Sequence, residues 1–173
     1  MSDKYGIQYL LEAVAFIKKK GKIPIKLRIA GKGPQEEEYK RLAKKLKIDD
    51  ITTWLGFISQ EDAAKEWANM DVAVIPSTLE SESFGVSAVE AQACEIPLII
   101  SDIPGLMEAT DPGCTSVVVK RKNAQAIAGA VEICRKCFWE NKQGRAFVKK
   151  YDVQMCFIEV EQLFNERVKA KVF

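Results

Sequence analysis

Histidine is absent from all 173 residues. That excludes a Ser-His-Asp triad and every histidine metal site from the chain's own repertoire. No apolar run is long enough to span a bilayer, and no signal-peptide pattern opens the sequence. An excess of charge is also lacking: 26 basic residues stand against 24 acidic ones, a net charge of +2. No strong field toward a polyanion follows, so nucleic acid is not an expected partner. Lys18-Lys19-Lys20 is too short for a membrane patch and ends an amphipathic stretch, where cations complement a helix dipole. Peripheral membrane contact by a full-length protein stays an open alternative. Cysteines number five, an odd count without framework spacing, which points to a reducing, cytoplasmic setting. Cys134 and Cys137 form a C-x-x-C pair with no second pair, inside a helical stretch, so buried thiols are expected rather than zinc or redox chemistry. No repeat or low-complexity segment occurs.

What is present is a hydrophobic fraction of 47%, enough for one domain with a full core. Apolar residues recur at helical spacing over 6–19 (Ile7, Leu10, Leu11, Val14, Ile17) and over 35–46 (Tyr39, Leu42, Ala43, Leu46). Short apolar runs over 26–30, 51–55, 72–75, 97–100 and 115–119 read as strands. Ser59 caps a short helix through 68, and helices are expected over 124–137, 142–149 and 153–168. Strands alternating with helices predict an α/β fold, a Rossmann-like doubly wound parallel sheet with helices on both faces, in a single domain over 1–173 whose terminal helices fill about 142–170. Gly31-Lys32-Gly33-Pro34 lacks the third glycine of a dinucleotide fingerprint. It reads as a tight strand-to-helix turn that also stands where a ligand cleft would open, making Gly31 and Gly33 candidate lining residues.

The most informative segment is 80–97, ESESFGVSAVEAQACEIP. A strand leads in and a strand leads out, as where a parallel sheet builds a ligand site at its carboxyl edge. A helix starting near Ser83 or Phe84 puts Val86, Val89 and Ala93 on the sheet face. Gly85 then sits in the first turn, where a missing Cβ lets an anion approach free N–H groups. Glu82 and Glu90 would be repelled by that anion and are suited instead to accepting hydrogen bonds from hydroxyls. They lie roughly 10 Å apart along the axis. Hydroxyls at both ends and an anionic middle describe a nucleotide sugar. The plainer alternative is that both glutamates are solvated and complement the dipole.

With its flanks, this segment resembles the carboxy-terminal domain of GT-B glycosyltransferases of family four, the group 1 family. Tyr5-Gly6-Ile7-Gln8 with Leu10-Leu11-Glu12-Ala13, the Gly31-to-Pro34 turn, Leu55-Gly56-Phe57, Glu82 with Phe84-Gly85, Glu90-Ala91, and Ser101-Asp102-Ile103-Pro104-Gly105 with Glu108 carry the resemblance in order. It implies a retaining transferase without a metal or other cofactor in this domain. Glu82 would hold the transferred sugar and serve as the catalytic residue. N–H groups around Phe84, Gly85 and Val86 would meet sugar and diphosphate, and Glu90 the ribose. The donor would be a UDP- or GDP-sugar and the acceptor a saccharide or lipid-linked sugar, as in polysaccharide assembly. An amino-terminal acceptor domain, in the same or another chain, would be the partner, so this domain alone would be inactive. The family's lysine before the first-helix glycine is displaced: Tyr5 stands there, with Lys4 one residue early. A non-catalytic nucleotide-sugar-binding subunit and a domain kept for protein contacts are the alternatives. The resemblance also implies a central strand ahead of the first helix. Residues 1–5 are too short and polar to supply it, so either that strand has been lost or the sheet closes without it.

Overall fold

The computed structural model describes residues 1–80, 85–137 and 144–151. Five strands, all parallel, alternate with helices: α1 (Ile7–Lys20), β1 (Leu27–Ala30), α2 (Glu36–Lys45), β2 (Thr52–Gly56), α3 (Gln60–Ala68), β3 (Ala73–Ile75), α4 (Val86–Ala93), β4 (Leu98–Ser101), α5 (Pro104–Glu108), β5 (Ser116–Val119), α6 (Ala124–Cys137) and α7 (Gly144–Val148). Ser59 caps α3 as expected, its hydroxyl accepting from the Asp62 N–H at 3.1 Å. The helix expected over 153–168 lies outside the described residues.

The helices lie on both faces, which gives the expected α/β Rossmann-like architecture. Side-chain alternation along the strands divides the core in two. Leu27, Ile29 and Ile99 pack with Leu11, Val14, Tyr39 and Ile127 from α1, α2 and α6. Leu98 and Ile100 pack with Ala88, Ala91 and Leu106 from α4 and α5, with Trp67 of α3 against them. β4 is buried on both faces along its whole length, as a central parallel strand must be.

The strands do not form one sheet. β1 pairs with β2, and β3-β4-β5 make a second sheet. Among the described residues the sheet therefore does not close between β1 and β3. A cleft of about 1300 Å³ lies between β1 and β3. As a sealed void it would cost on the order of 30 kcal/mol at about 24 cal/mol per Å³, more than a whole domain's stability, so it stands open to solvent. The halves are joined by the α1 layer across one face and by residues 1–6 at the carboxyl edge.

Two expectations are corrected. The site helix begins at Val86, with Gly85 as its left-handed N-cap (φ 60°), and not at Ser83 or Phe84. Its buried face is Ala88, Ala91 and Gln92, while Val86 is 62% exposed and Val89 and Ala93 are half-buried. Small alanines, not the larger valines, face inward because α4 lies close over the sheet. Gln92 is fully buried, donates to the Ala88 and Ala109 carbonyls at 3.2 and 2.8 Å and accepts from the Thr115 hydroxyl at 2.6 Å. Next to it, Pro104 supplies a preset φ at the first turn of α5.

Tyr39 ties α2 to the first residues. Its hydroxyl lies 3.4 Å from the Asp3 carboxylate and 3.2 Å from Gln35. Burial, reinforced by the Asp3 charge, pushes its pKa from 10.0 up to about 12. The native state therefore holds this proton more tightly than the unfolded chain, and the associated stability is complete below pH 10 and lost as pH rises through 12. Urea titrations at pH 9 and pH 11 are expected to show a larger loss in the parent chain than in Tyr39→Phe.

Candidate functional site

The strands deliver their carboxyl ends to one edge, and the loops that follow them carry the candidate residues. Gly31 follows β1 at φ 104° and donates its N–H to the Gly56 carbonyl at 2.6 Å. A Cβ on Gly31 would meet nothing within 4 Å, whereas one on Gly33 would lie 1.6 Å from the Met1 nitrogen. Gly33 is therefore required by the close passage of the chain's own first residue, whose ammonium group also bonds the Lys32 carbonyl. The Lys32 side chain passes over Gly56.

After β3 the chain runs through buried Pro76, Ser77 and Thr78. The Thr78 N–H donates to the Lys4 carbonyl at 2.7 Å, and its hydroxyl donates to the Asp3 carbonyl at 3.0 Å. Gly6, at φ 63°, fits against this loop only because it has no side chain: a Cβ would stand 2.0 Å from the Pro76 oxygen. The structure thus brings Lys4 and Tyr5 to the loop leading toward α4. The Lys4 ammonium lies 4.8 Å from the Tyr5 ring centroid, a cation–π distance.

Glu82 and Phe84, two of the candidate residues, lie outside the described residues. Gly85 and α4 follow. The Gly85 carbonyl accepts from Ala88 at 2.7 Å and Val89 at 3.4 Å. The N–H groups of Val86 and Ser87 precede the first intrahelical bond, at the positive end of the dipole. Gly85 packs so closely on Leu106 that a Cβ would come within 2.4 Å of its Cδ2. Behind α4 lies α7, where a Cβ on Gly144 would reach 2.7 Å from the Gln92 carbonyl. Tyr151 donates its hydroxyl to the Glu108 carbonyl at 2.7 Å. Glu90 is half-buried in the middle of α4.

Sequence reasoning missed Arg121, just past β5. Its Nη1 donates to Glu80 at 3.0 Å and its Nε to Asp102 at 3.1 Å, and Asp102 also accepts the Arg121 backbone N–H at 2.8 Å. The Glu80 hydrogen bond, with the nearby Asp102 charge, raises the guanidinium pKa further. Arg121 therefore tethers the start of the loop to α4 and the loop before α5 to one cation. The available signal was Lys120-Arg121-Lys122 directly after a strand. Among the described residues no cluster of His, Cys, Asp or Glu could hold a metal, and none of their helices is long and apolar enough to cross a membrane.

A helix start, a carboxylate on the same helix and lysines on the loops that follow β1 and precede α1 therefore belong to the candidate site. The chain belongs to the glycosyl transferases group 1 family, whose model matches residues 1–137. It is 34% identical over 127 residues to an uncharacterized glycosyltransferase of Methanocaldococcus jannaschii, a match covering 73% of this chain and 32% of the relative. It is 34% identical over 130 residues to the D-inositol 3-phosphate glycosyltransferase of Pseudarthrobacter chlorophenolicus, covering 73% and 30%. The matched part of the chain thus spans about a third of these relatives' length. Among solved structures it is similar to sucrose-phosphate synthase of Thermosynechococcus elongatus, with a TM-score of 0.78, 27% identity and coverage of 98% of this chain and 44% of that one. It is also similar to Anabaena HepE in complex with UDP and glucose, with a TM-score of 0.76, 20% identity and coverage of 98% and 46%.

Proposed function

We propose that this domain binds the nucleotide-diphosphate sugar donor of a retaining glycosyltransferase. The observation that carries the reading is α4: Gly85 caps it in the left-handed conformation, the Val86 and Ser87 N–H groups precede its first intrahelical bond, and Glu90 is half-buried on the same helix. The diphosphate meets the helix start, where dipole and N–H groups stabilise negative charge, including the charge that grows on the leaving diphosphate. Glu90 accepts from the ribose hydroxyls. Glu82 holds the transferred sugar and is the residue proposed to act at the reacting centre. Lys4 and Lys32 stand on adjacent loops as the cations for the diphosphate. That Anabaena HepE is solved with UDP and with UDP-glucose supports a uridine donor. Transfer to a saccharide or lipid-linked acceptor requires a second domain that closes over the sugar, excludes water and orients the acceptor.

Calorimetric titration with UDP-glucose, GDP-mannose and ADP-glucose tests this and identifies the base. Glu90→Ala is expected to weaken UDP and UDP-glucose alike by about tenfold, the scale of a lost hydrogen bond to a charged group. Glu82→Ala is expected to weaken UDP-glucose but leave UDP unchanged. No heat with any of the three donors would defeat the proposal.

A further inference from the structure

Opposite the ligand edge lies the end of the molecule where the strands begin. α1 and α2 each lead into a strand of the parallel pair β1-β2, so both helices finish at that end. Taken alone, Lys18-Lys19-Lys20 is a short run closing a helix. The fold adds to it. The Lys18 ammonium donates to the Lys47 carbonyl at 2.7 Å and pairs with Asp50, which holds the end of α2 against the end of α1. Lys22 follows α1, Lys44 and Lys45 close α2, and Lys47 comes just after it. Seven lysines from two separate stretches of chain therefore share one face.

Their surroundings do not cancel them. The acids beside them are Asp49, Asp50 and Glu132, of which Asp50 holds Lys18 and Glu132 holds Lys20 at 3.3 Å. Among the described residues no ion pair holds Lys19, Lys22, Lys44, Lys45 or Lys47, and all five are exposed. The excess of four positive charges on this face is twice the net charge of +2 of the whole chain. The two helix ends contribute roughly half a negative charge each, so most of the surplus survives the dipoles.

Lysine alone supplies it. Arginine, whose planar fork suits paired contacts to nucleic-acid phosphates, is absent from 18–22 and 44–50, whereas lysine is a hydrated point charge suited to a diffuse negative field. Exposed apolar side chains stand at the border. Phe16, 41% exposed, is one turn ahead of Lys20 on α1, and Ile133, 48% exposed, follows Glu132 on α6, so the Lys20–Glu132 pair brings both beside the lysines. Lysines bordered by large apolar side chains make a surface of the interfacial kind.

We infer that this face docks on an anionic lipid surface, with the lysines over the headgroups and Phe16 and Ile133 at the acyl boundary. The ligand edge then points away from the lipid and stays free. The inference is independent of donor binding.

The test is sedimentation of the full chain with vesicles of phosphatidylglycerol and phosphatidylcholine in equal parts, and with vesicles of phosphatidylcholine alone. At low salt, binding to the first and not to the second is expected, and it should fall at least tenfold at about 0.5 M salt, where charges are screened within a few ångströms. Lys19→Gln with Lys45→Gln should weaken it about 25-fold, on the scale of about fivefold per lysine near a charged bilayer. Lys65→Gln with Lys120→Gln removes the same charge from other faces and should leave binding unchanged. All four side chains are exposed, and circular dichroism checks that both variants fold. Equal losses in the two variants would overturn the inference, because net charge and not this face would then be responsible. So would a failure to sediment with the anionic vesicles, or release from them by random-sequence duplex DNA at equal phosphate concentration, which would make nucleic acid the favoured partner.

Discussion

Gly6→Ala is expected to destabilise the domain by about 3 kcal/mol or more. Two terms add. Gly6 holds φ 63°, and a left-handed residue with a Cβ costs roughly 1–2 kcal/mol. The new Cβ would also lie 2.0 Å from the Pro76 carbonyl oxygen and 3.1 Å from the Thr78 methyl. The first is a backbone atom that cannot rotate away, so the loop itself must retreat. Its retreat breaks the hydrogen bonds from Thr78 to Asp3 and Lys4. Urea denaturation followed by tryptophan fluorescence measures the loss. Gly21→Ala is the matched control: it has the same φ of 63° but nothing within 4 Å of a Cβ, so it should show the conformational cost alone. Equal losses for the two variants would mean that the contact with Pro76 is unimportant.

Gly85→Val is expected to abolish donor binding and to cost about 2–3 kcal/mol of stability. A β-branched residue at positive φ is strained, and its Cβ would press on the Leu106 side chain at 2.4 Å. Leu106 is a side-chain end and can yield, so the domain survives, unlike a clash with backbone. The helix start cannot keep its geometry, because φ near 60° at the cap is the turn by which the chain enters α4. Calorimetry with UDP-glucose on the folded variant, with circular dichroism as the folding check, separates the two effects. Undiminished binding would show that the donor does not use the α4 start.

How much was legible beforehand varies with the kind of signal. The order and type of the long elements were readable because each has its own period: Ile7, Leu10, Leu11, Val14 and Ile17 can share a face only on a helix. The start of α4 was not readable, because nothing local distinguishes a glycine inside the first turn from one at the cap; the left-handed cap is set by the packing of Gly85 on Leu106. The buried face of α4 was misjudged for a related reason, since valine outranks alanine in hydrophobicity but not where the helix lies close over a sheet. Arg121 joins residues far apart in sequence, Glu80 and Asp102, and no local pattern encodes that meeting. Whether the sheet closes between β1 and β3 was not legible, because a short polar opening segment leaves both outcomes open.

The bonds of Met1 to Lys32 and of Lys4 to Thr78 have a mechanical meaning. They fasten two half-sheets along the same edge that presents Gly31 on one side and Gly85 on the other. Residues 1–4 thus bridge β1 and the loop after β3 by hydrogen bonds alone, where β1 and β3 themselves share no ladder among the described residues.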